Sequence, residues 1–349
     1  MQAALLYGKE DLRVQEFPTP QCGDHEVLLK VSSALICGTD VRMFRHGHAG
    51  VSADSPLILG HEISGTIAQV GKQVHGYQEG QAVTVAPNMG CGICDVCVSG
   101  NTQLCEQKFD AIGITQHGGF AEYVRIPEAA VRQGNITNIP AGMSLEEAAM
   151  VEPLSCAYNG FMRCRLTPGD TVLIIGAGPI GMMHVRLAKM AGASKIYLHD
   201  IGAERLSLCQ QLEPGIVALD PVASLQEQMR DIAAGRGVDV CITACSAPQA
   251  QTTALEVAAL NGRVLFFGGL PADKAHVSLN TNIIHYKQLT LTGMTRSNLA
   301  QFRATLQLIA QGLLQVNDLI SSRKPLAHIR EMLANVSQGI GLKNAIHFD

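Results

Sequence analysis

The sequence predicts an α/β protein of two domains: a β-rich N-terminal domain, followed by a parallel sheet with helices on both faces. With 349 residues, the chain is long enough for two domains of about 150 residues each. The first 150 residues carry short segments rich in Val, Ile and Thr that end at glycines, a pattern typical of β-structure. From residue 171 apolar strands alternate with helical stretches, which indicates a parallel sheet.

In the N-terminal part we expect strands over 26–31, 63–74, 81–86 and 118–126, and we interpret the polar stretch 133–137 as a surface loop. In the second part we expect strands over 171–175, 195–199, 238–243, 263–267 and 289–292. Helical spacing there favours helices over 179–191 and 203–212. Two helices, 299–312 and 325–338, and a strand over 343–348 complete the chain.

The composition excludes several classes of protein. Lys and Arg number 26 and Asp and Glu 30, which argues against binding to nucleic acid or to an anionic membrane through overall charge. Apolar residues make up 47% and charged residues 16%, so a large core is expected. No apolar run reaches the length of about 18–20 residues that spans a bilayer, and no signal pattern precedes residue 17. With 11 unevenly spaced cysteines, a cytoplasmic protein with reduced thiols is the simplest interpretation.

A glycine motif predicts a dinucleotide site. Gly176, Gly178 and Gly181 form G-x-G-x-x-G between an apolar strand and a helix, the context that gives this motif its meaning. The glycines permit a tight turn, the approach of a pyrophosphate and close packing of helix on strand. Asp200 ends the next strand, where a carboxylate accepts ribose hydroxyls and repels a 2′-phosphate. NAD is therefore expected rather than NADP, although Arg205 lies nearby. A glycine turn with a capping aspartate is the alternative.

Two sets of residues suggest metal binding. Cys91, Cys94, Cys97 and Cys105 have the spacing C-x2-C-x2-C-x7-C, which is typical of a closed structural zinc site; an iron–sulfur or a disulfide cluster would be the alternatives. The second set is dispersed and its members could equally be separate core residues. It could form a catalytic zinc shell with an open position, and it comprises Cys37, His61, Glu62 and Glu152.

With these residues in view, the whole chain resembles the zinc-containing medium-chain alcohol dehydrogenases. The segment from Gly60 to Val74 matches the family's zinc signature, and Glu152-Pro-Leu154 is similar to the sorbitol dehydrogenase branch. The resemblance implies a GroES-like catalytic domain over 1–150 and 296–349, and a Rossmann domain over 151–295, with the active site in the cleft between them. It also implies a homodimer or homotetramer.

The resemblance assigns roles to individual residues. The zinc ligands correspond to Cys37, His61 and Glu62, with Glu152 acting directly or through water, and Thr39 matches the hydroxyl that contacts the reacting oxygen. Phe109 and Arg296 match substrate contacts. The remaining positions match the cofactor site, and they are Pro179 and Ile180 in the pyrophosphate turn, Asp200 and Arg205 beside the adenosine, and Phe267, Gly268, Gly269 and Thr295 near the nicotinamide.

Two positions depart from the family pattern. Arg42 replaces a histidine that often ends the proton relay, and Met43 replaces the tyrosine of the sorbitol branch's substrate pocket. A guanidinium cannot act as a general base near neutrality. Arg42, Arg45, His46 and His48 are crowded together, which indicates either a solvated basic loop or recognition of an anionic substrate.

The expected function is NAD-dependent oxidation of a secondary alcohol of a polyol or sugar derivative to a ketone, with zinc as Lewis acid and Thr39 as proton acceptor. Three alternatives stay open: a dehydrogenase of a phosphorylated polyol or sugar acid, an enzyme like L-threonine 3-dehydrogenase, and a non-enzymatic NAD-binding sensor.

Overall fold

The computed structural model describes residues 1–348. The chain divides into two compact units. The first consists of Met1–Ser155 together with the segment that begins at Arg296, and the second is Cys156–Thr295.

The strands are β1 Gln2–Gly8, β2 Asp11–Glu16, β3 Val27–Leu35, β4 Leu57–Ile58, β5 Glu62–Val70, β6 Ala82–Val85, β7 Asn88–Met89, β8 Asp110–Ala111, β9 Tyr123–Ile126, β10 Ile136–Asn138, β11 Thr171–Ile175, β12 Lys195–His199, β13 Val217–Ala218, β14 Val238–Thr243, β15 Ala258–Phe266, β16 Thr290–Gly293, β17 Ile320–Pro325 and β18 Lys343–His347. The helices are α1 Gly38–His46, α2 Asp95–Val98, α3 Glu128–Gln133, α4 Leu145–Ala149, α5 Val151–Cys164, α6 Pro179–Met190, α7 Ala203–Leu212, α8 Leu225–Ile232, α9 Pro248–Val257, α10 Thr281–Tyr286, α11 Leu299–Ala310 and α12 Ile329–Gln338.

The first unit is built on a seven-stranded sheet in the order β10-β6-β5-β3-β18-β17, with β9 also paired to β3. The C-terminal strand β18 runs antiparallel to β3 and parallel to β17, so the last strand of the chain lies inside the sheet. Leu29 and Val31 of β3 and Ile67 of β5 are buried in the core with Phe120 and Ile346. Strand β3 is buried along most of its length, in keeping with its place in the middle of the sheet.

The second unit contains a six-stranded parallel sheet in the order β13-β12-β11-β14-β15-β16. In chain order this is 3-2-1-4-5-6, the doubly wound arrangement in which ligands bind at the carboxyl ends of the strands. The central strand β11 is a run of Thr, Val, Leu, Ile and Ile with four of its five residues buried, as expected of a strand covered on both faces.

The structure confirms the predicted α/β class and the five strands of the second part, with shifts of a few residues at β15 and β16. The all-β interpretation of the first 150 residues is wrong in detail, because α1, α3 and α4 interrupt it. The interpretation of 133–137 as a surface loop is also wrong. Asn135 is fully buried there, and its side chain donates to the carbonyl oxygens of Ala86 and Asn88. Among the described residues no helix combines the length and apolar character needed to cross a membrane.

Candidate active site

Three of the dispersed residues come together in the first unit. Cys37 immediately precedes α1, and His61 and Glu62 stand at the start of β5. One ligand atom from each residue lies within 4.8 Å of the other two, and both His61 and Glu62 are buried. A thiolate, an imidazole and a carboxylate at this spacing are a donor set that zinc accepts. These side chains therefore fit a metal ion.

Asp40 supports both Cys37 and His61. The Cys37 N–H donates to Asp40 Oδ2 over 2.8 Å, and Asp40 Oδ1 lies 3.4 Å from His61 Nδ1. Burial lowers the pKa of His61, but the charges of Asp40 and Cys37 and the hydrogen bonds to both together outweigh it, so the pKa lies well above its usual value. A carboxylate behind one ring nitrogen fixes the orientation of the imidazole and leaves the other nitrogen for a metal.

Lys343 is a functional residue that the sequence analysis missed. It lies on β18 with its side chain 3% exposed, and it contacts Glu62, which is fully buried. Its Nζ donates to both oxygens of the Glu62 carboxylate, at 2.6 Å from Oε1, and to the Ile36 carbonyl over 3.2 Å. Burial opposes the charged form, yet Glu62 and Cys37 raise the pKa of Lys343 above its ordinary value. The carboxylate of Glu62 is thus held by an internal cation.

The other two residues proposed for the chemistry lie near this cluster. Glu152 is buried at the start of α5 and close enough to add to the field on Lys343, but it is not among the donors within 4.8 Å. Thr39 stands in the first turn of α1 and is half-buried. The structure therefore brings three of the four expected ligands together and places Glu152 beside the same ammonium group.

The four cysteines also form a cluster. Their Sγ atoms all lie within 4.8 Å of one another, with Cys91 3.9 Å from Cys97 and Cys94 4.0 Å from Cys105. A tetrahedral site with Zn–S bonds of about 2.3 Å has S–S edges of about 3.8 Å, so the spacing fits zinc. All four cysteines are free thiols. The backbone N–H groups of Cys91 and Lys108 point at Cys105 Sγ and lower the pKa of Cys105 to about 6.

The substrate candidates separate into two groups. Arg296 and Phe109 are in contact, with the guanidinium carbon 3.8 Å from the ring centroid. Arg296 Nη1 also donates to the Gln103 carbonyl over 2.8 Å, a contact that the sequence did not suggest. Arg42 is exposed on α1, whereas Met43 is 3% exposed and belongs to the core of the first unit. Of the four, Met43 is the one whose environment favours a packing role.

The basic stretch on α1 is open to solvent. Arg42, Arg45 and His46 are exposed and His48 is half-buried. Exposed charges at the end of a helix are well hydrated and interact favourably with its dipole. This arrangement favours the solvated basic loop among the two interpretations of the sequence.

In the second unit the glycine motif forms the turn between β11 and α6. Gly176 has φ +117°, which excludes other residues, and a Cβ at Gly181 would lie 1.8 Å from the Gly176 carbonyl oxygen. A Cβ at Gly178 would meet only Arg205 Nη1, at 3.9 Å. Glycine is therefore needed at 176 for the backbone conformation and at 181 for packing. At Gly178 the absence of a side chain leaves one face of the backbone open. That is the shape a pyrophosphate needs at a helix N-terminus.

Asp200 ties the glycine turn to the end of β12. Its Oδ2 accepts from the Ala177 N–H over 2.7 Å and its Oδ1 from the Gly202 N–H over 2.8 Å. The carboxylate that is expected to contact the ribose is thus the same one that caps backbone N–H groups of the turn. Arg205 lies close to it. Pro179 and Ile180 occupy the first turn of α6.

The residues expected near the nicotinamide follow β15 and β16. The Phe267 ring packs edge-on against the buried ring of His184 at 5.1 Å. A Cβ at Gly268 would lie 2.2 Å from the Cys245 carbonyl oxygen, whereas Gly269 meets nothing within 4 Å. Thr295 is exposed and its carbonyl accepts from Asn159 over 3.5 Å.

Comparisons with known proteins agree with this geometry. Residues 23–141 match the family described as "Alcohol dehydrogenase GroES-like domain", and residues 179–311 match the family described as "Zinc-binding dehydrogenase". The first match covers the metal cluster, and the second begins within the glycine motif, at Pro179.

Full-length relatives extend the likeness. A sorbitol dehydrogenase of Bombyx mori is 31% identical, over 99% of this chain and 98% of its own length. An L-threonine 3-dehydrogenase of Bacillus velezensis is 33% identical, over 90% and 88% of the two chains. A zinc-binding dehydrogenase structure from Sinorhizobium meliloti, bound to NADP, has a TM-score of 0.89 and 28% identity over 99% of both chains. The chain therefore belongs to the zinc-dependent medium-chain alcohol dehydrogenases, in their polyol dehydrogenase branch, and is an alcohol oxidoreductase.

Proposed function

We propose that this enzyme oxidises a secondary alcohol of a neutral polyol to a ketone and transfers the hydride to NAD. The observation that carries the proposal is the donor set Cys37, His61 and Glu62, of which His61 and Glu62 are buried. Each member has its own partner in Asp40 or Lys343. Buried polar groups with dedicated partners are typical of a preorganised site. The first unit is proposed as the catalytic domain and the second as the cofactor domain.

Cys37, His61 and Glu62 would hold the catalytic zinc, and Glu152 would complete the shell directly or through water. When bound, zinc supplies Lewis acidity that lowers the pKa of an alcohol, and the dinucleotide supplies the hydride acceptor. The chain's own residues would orient the metal ligands and move a proton. Asp40 fixes the His61 ring, Lys343 fixes the Glu62 carboxylate, and the Thr39 hydroxyl accepts the alcohol's proton as it passes its own toward solvent.

NAD is proposed over NADP because Asp200 places a carboxylate at the end of β12 beside the glycine turn. That negative charge would oppose a 2′-phosphate. Arg205 is the counterargument, because its guanidinium reaches the same turn, and the Sinorhizobium meliloti relative was solved with NADP.

The proposal also includes a second, structural zinc on Cys91, Cys94, Cys97 and Cys105. It further includes a homodimer or homotetramer, which light scattering can measure.

Two alternative substrates have specific support. The identity with an L-threonine 3-dehydrogenase favours an amino alcohol, and the basic residues Arg42 and Arg45 would suit a phosphorylated polyol or sugar acid. Against the anionic substrates, both arginines are exposed on α1. The neutral polyol is preferred because the match to the sorbitol dehydrogenase spans almost the whole of both chains.

The decisive experiment measures initial rates of NAD and NADP reduction with neutral polyols, their phosphates, sugar acids and L-threonine. We expect turnover on a neutral polyol with NAD. Turnover only on phosphates or acids, only on L-threonine, or preferentially with NADP would each overturn the corresponding part of the proposal.

Cys37→Ser is the matched variant for the metal role. It should abolish turnover and leave dinucleotide binding intact. Cys22→Ser should retain activity, because Cys22 Sγ contacts the carbonyl oxygens of Gly23, Glu26 and Gln69 and Cys22 belongs to neither donor cluster. Retained turnover in a Cys37→Ser sample with verified zinc content would contradict the proposed ligand set.

A further inference from the structure

Arg296 is held by the loop that carries the four cysteines. We define residues 91–109 as the four-cysteine lobe. We propose that Gln103 and Phe109 of this lobe are positioning residues that fix the Arg296 guanidinium, so that metal occupancy of the lobe controls affinity for the alcohol substrate. The consequence for substrate affinity rests on the proposed role of Arg296 as a substrate contact. The positioning itself rests only on contacts within the first unit.

The first contact is a hydrogen bond to a rigid carbonyl. Arg296 Nη1 donates to the Gln103 oxygen over 2.8 Å, and Gln103 is itself buried. Gln103 lies in a 3₁₀ turn over Thr102–Leu104, and the N–H of Cys105 donates to the Thr102 carbonyl over 3.2 Å. The carbonyl that receives the guanidinium is thus fixed by the backbone that leads into a cysteine of the cluster.

The second contact is a cation–π interaction on the other side of the same cysteine. The Arg296 guanidinium carbon lies 3.8 Å from the Phe109 ring centroid, well inside the distance of about 6 Å at which such pairs attract. The residue before Phe109 is Lys108, whose N–H points at Cys105 Sγ over 3.4 Å. Gln103 and Phe109, which make these two contacts with Arg296, each adjoin a residue that is hydrogen-bonded to Cys105: Thr102 and Lys108 respectively.

The backbone of Arg296 is fixed as well. Its φ is +54°, a left-handed conformation that non-glycine residues adopt infrequently. The following residue, Ser297, is buried and shares a hydrogen bond of 2.6 Å with Ser155 Oγ. The Asn298 side chain then accepts from the Gln301 N–H and begins α11. Arg296 is thus constrained at its backbone by its neighbours and at its guanidinium by the lobe.

These contacts connect the cysteine cluster to a charged side chain. The backbone N–H groups of Cys91 and Lys108 both donate to Cys105 Sγ, over 3.3 and 3.4 Å. A metal ion held by Cys105 would therefore also hold the backbone on either side of it. A loop that relaxes around Cys105 would move Gln103 and Phe109 together and release the guanidinium from both contacts.

The test measures the accessibility of Arg296 directly. Phenylglyoxal modifies arginines, and peptide mass spectrometry gives the rate for Arg296 relative to exposed Arg45 in the same sample. Phe109→Leu should raise the relative rate about three- to tenfold, the factor that corresponds to a cation–π contact. Phe109→Tyr keeps an aromatic face and should restore the wild-type rate. Cys94→Ser, with its zinc content measured, should raise the rate at least as much as Phe109→Leu.

Kinetics supply the second readout. In Phe109→Leu we expect a higher KM for the alcohol, and in Phe109→Tyr we expect the KM of the wild type. An unchanged modification rate in Phe109→Leu overturns the proposal, and this variant decides even where Cys94→Ser does not fold. If Phe109→Leu raises the modification rate of Arg296 but the wild-type enzyme oxidises no polyol, the positioning role is supported and the proposed substrate class is overturned. Failure of the positioning proposal and failure of the proposed function are therefore distinguishable.

Discussion

Replacing Lys343 by Met tests whether the buried ion pair stabilises the metal cluster. The change keeps a side chain of similar length but removes the ammonium group, leaving the Glu62 carboxylate without its cation at a position where both side chains are almost fully buried. Breaking one partner of a buried pair costs about 3–5 kcal/mol, whereas replacing both partners is often nearly neutral. We therefore expect Lys343→Met to lower the free energy of unfolding by about 3–5 kcal/mol.

The double variant Lys343→Met/Glu62→Gln distinguishes this explanation from general damage to β18. Because it removes both charges, it should recover most of the lost stability, to within about 1 kcal/mol of the wild type. Urea unfolding followed by circular dichroism in the presence of a zinc chelator measures all three proteins, because zinc on Glu62 would itself contribute to stability. Lys324→Met is the control, because its partner Glu331 is half exposed and an exposed pair contributes about 1 kcal/mol or less. A Lys343→Met cost below about 1 kcal/mol, or strictly additive costs in the double variant, would refute the reasoning.

Three further predictions concern the second unit. Gly181→Ala should weaken dinucleotide binding at least about tenfold, because its Cβ would lie 1.8 Å from a carbonyl oxygen, and calorimetry measures the Kd. Asp200→Ser should raise the ratio of NADP- to NAD-dependent kcat/KM, since the charge that opposes a 2′-phosphate is removed. Burial lowers the pKa of His184 to about 3 from 6.5. The unfolded chain therefore gains a proton below pH 6.5 that the folded chain does not, and stability should fall by about 2 kcal/mol on going from pH 7.5 to pH 5. His184→Leu should remove this loss.

Controls for these three predictions come from the same unit. Gly215→Ala introduces a Cβ with no neighbour within 4 Å, so it should bind the dinucleotide like the wild type. Equal affinities for Gly181→Ala and Gly215→Ala would contradict the packing argument. If Asp200→Ser left the ratio of NADP- to NAD-dependent kcat/KM unchanged, the role of the carboxylate would be limited to its hydrogen bonds with the glycine turn. If His184→Leu lost as much stability as the wild type between pH 7.5 and pH 5, other groups would be responsible for the acid sensitivity.

The sequence predicted best those features that are encoded locally. Strands β11, β12 and β14 were predicted with their observed bounds, because each is an apolar run between turn residues. The glycine turn and the four cysteines were recognisable because their spacing alone brings the atoms together. In the first unit the short helix α1 was missed, since nine residues with a mixed pattern give little periodic signal.

Other features were beyond local pattern. Lys343 is the first residue of a short strand of mixed polarity, and its role depends on Glu62, which is 281 residues away. The Gln103 contact uses a backbone carbonyl, which any residue would supply, so no side-chain pattern marks it. Asn135 looked like part of a polar loop, but its two hydrogen bonds to backbone carbonyls make burial favourable for an amide.

The position of β18 between β3 and β17 gives the assembly of the metal site an order in time. A ribosome adds about 5–20 residues per second, so Glu62 is made roughly 15–60 s before Lys343, its partner 281 residues later. Throughout that interval β3 lacks one of its neighbours and presents an open edge, which is prone to pair with other chains. The second unit is continuous in sequence and can fold first. The metal cluster acquires its internal cation only after Lys343 has been made and β18 has paired with β3, so the time needed to complete β18 bears on whether a newly made chain matures or aggregates.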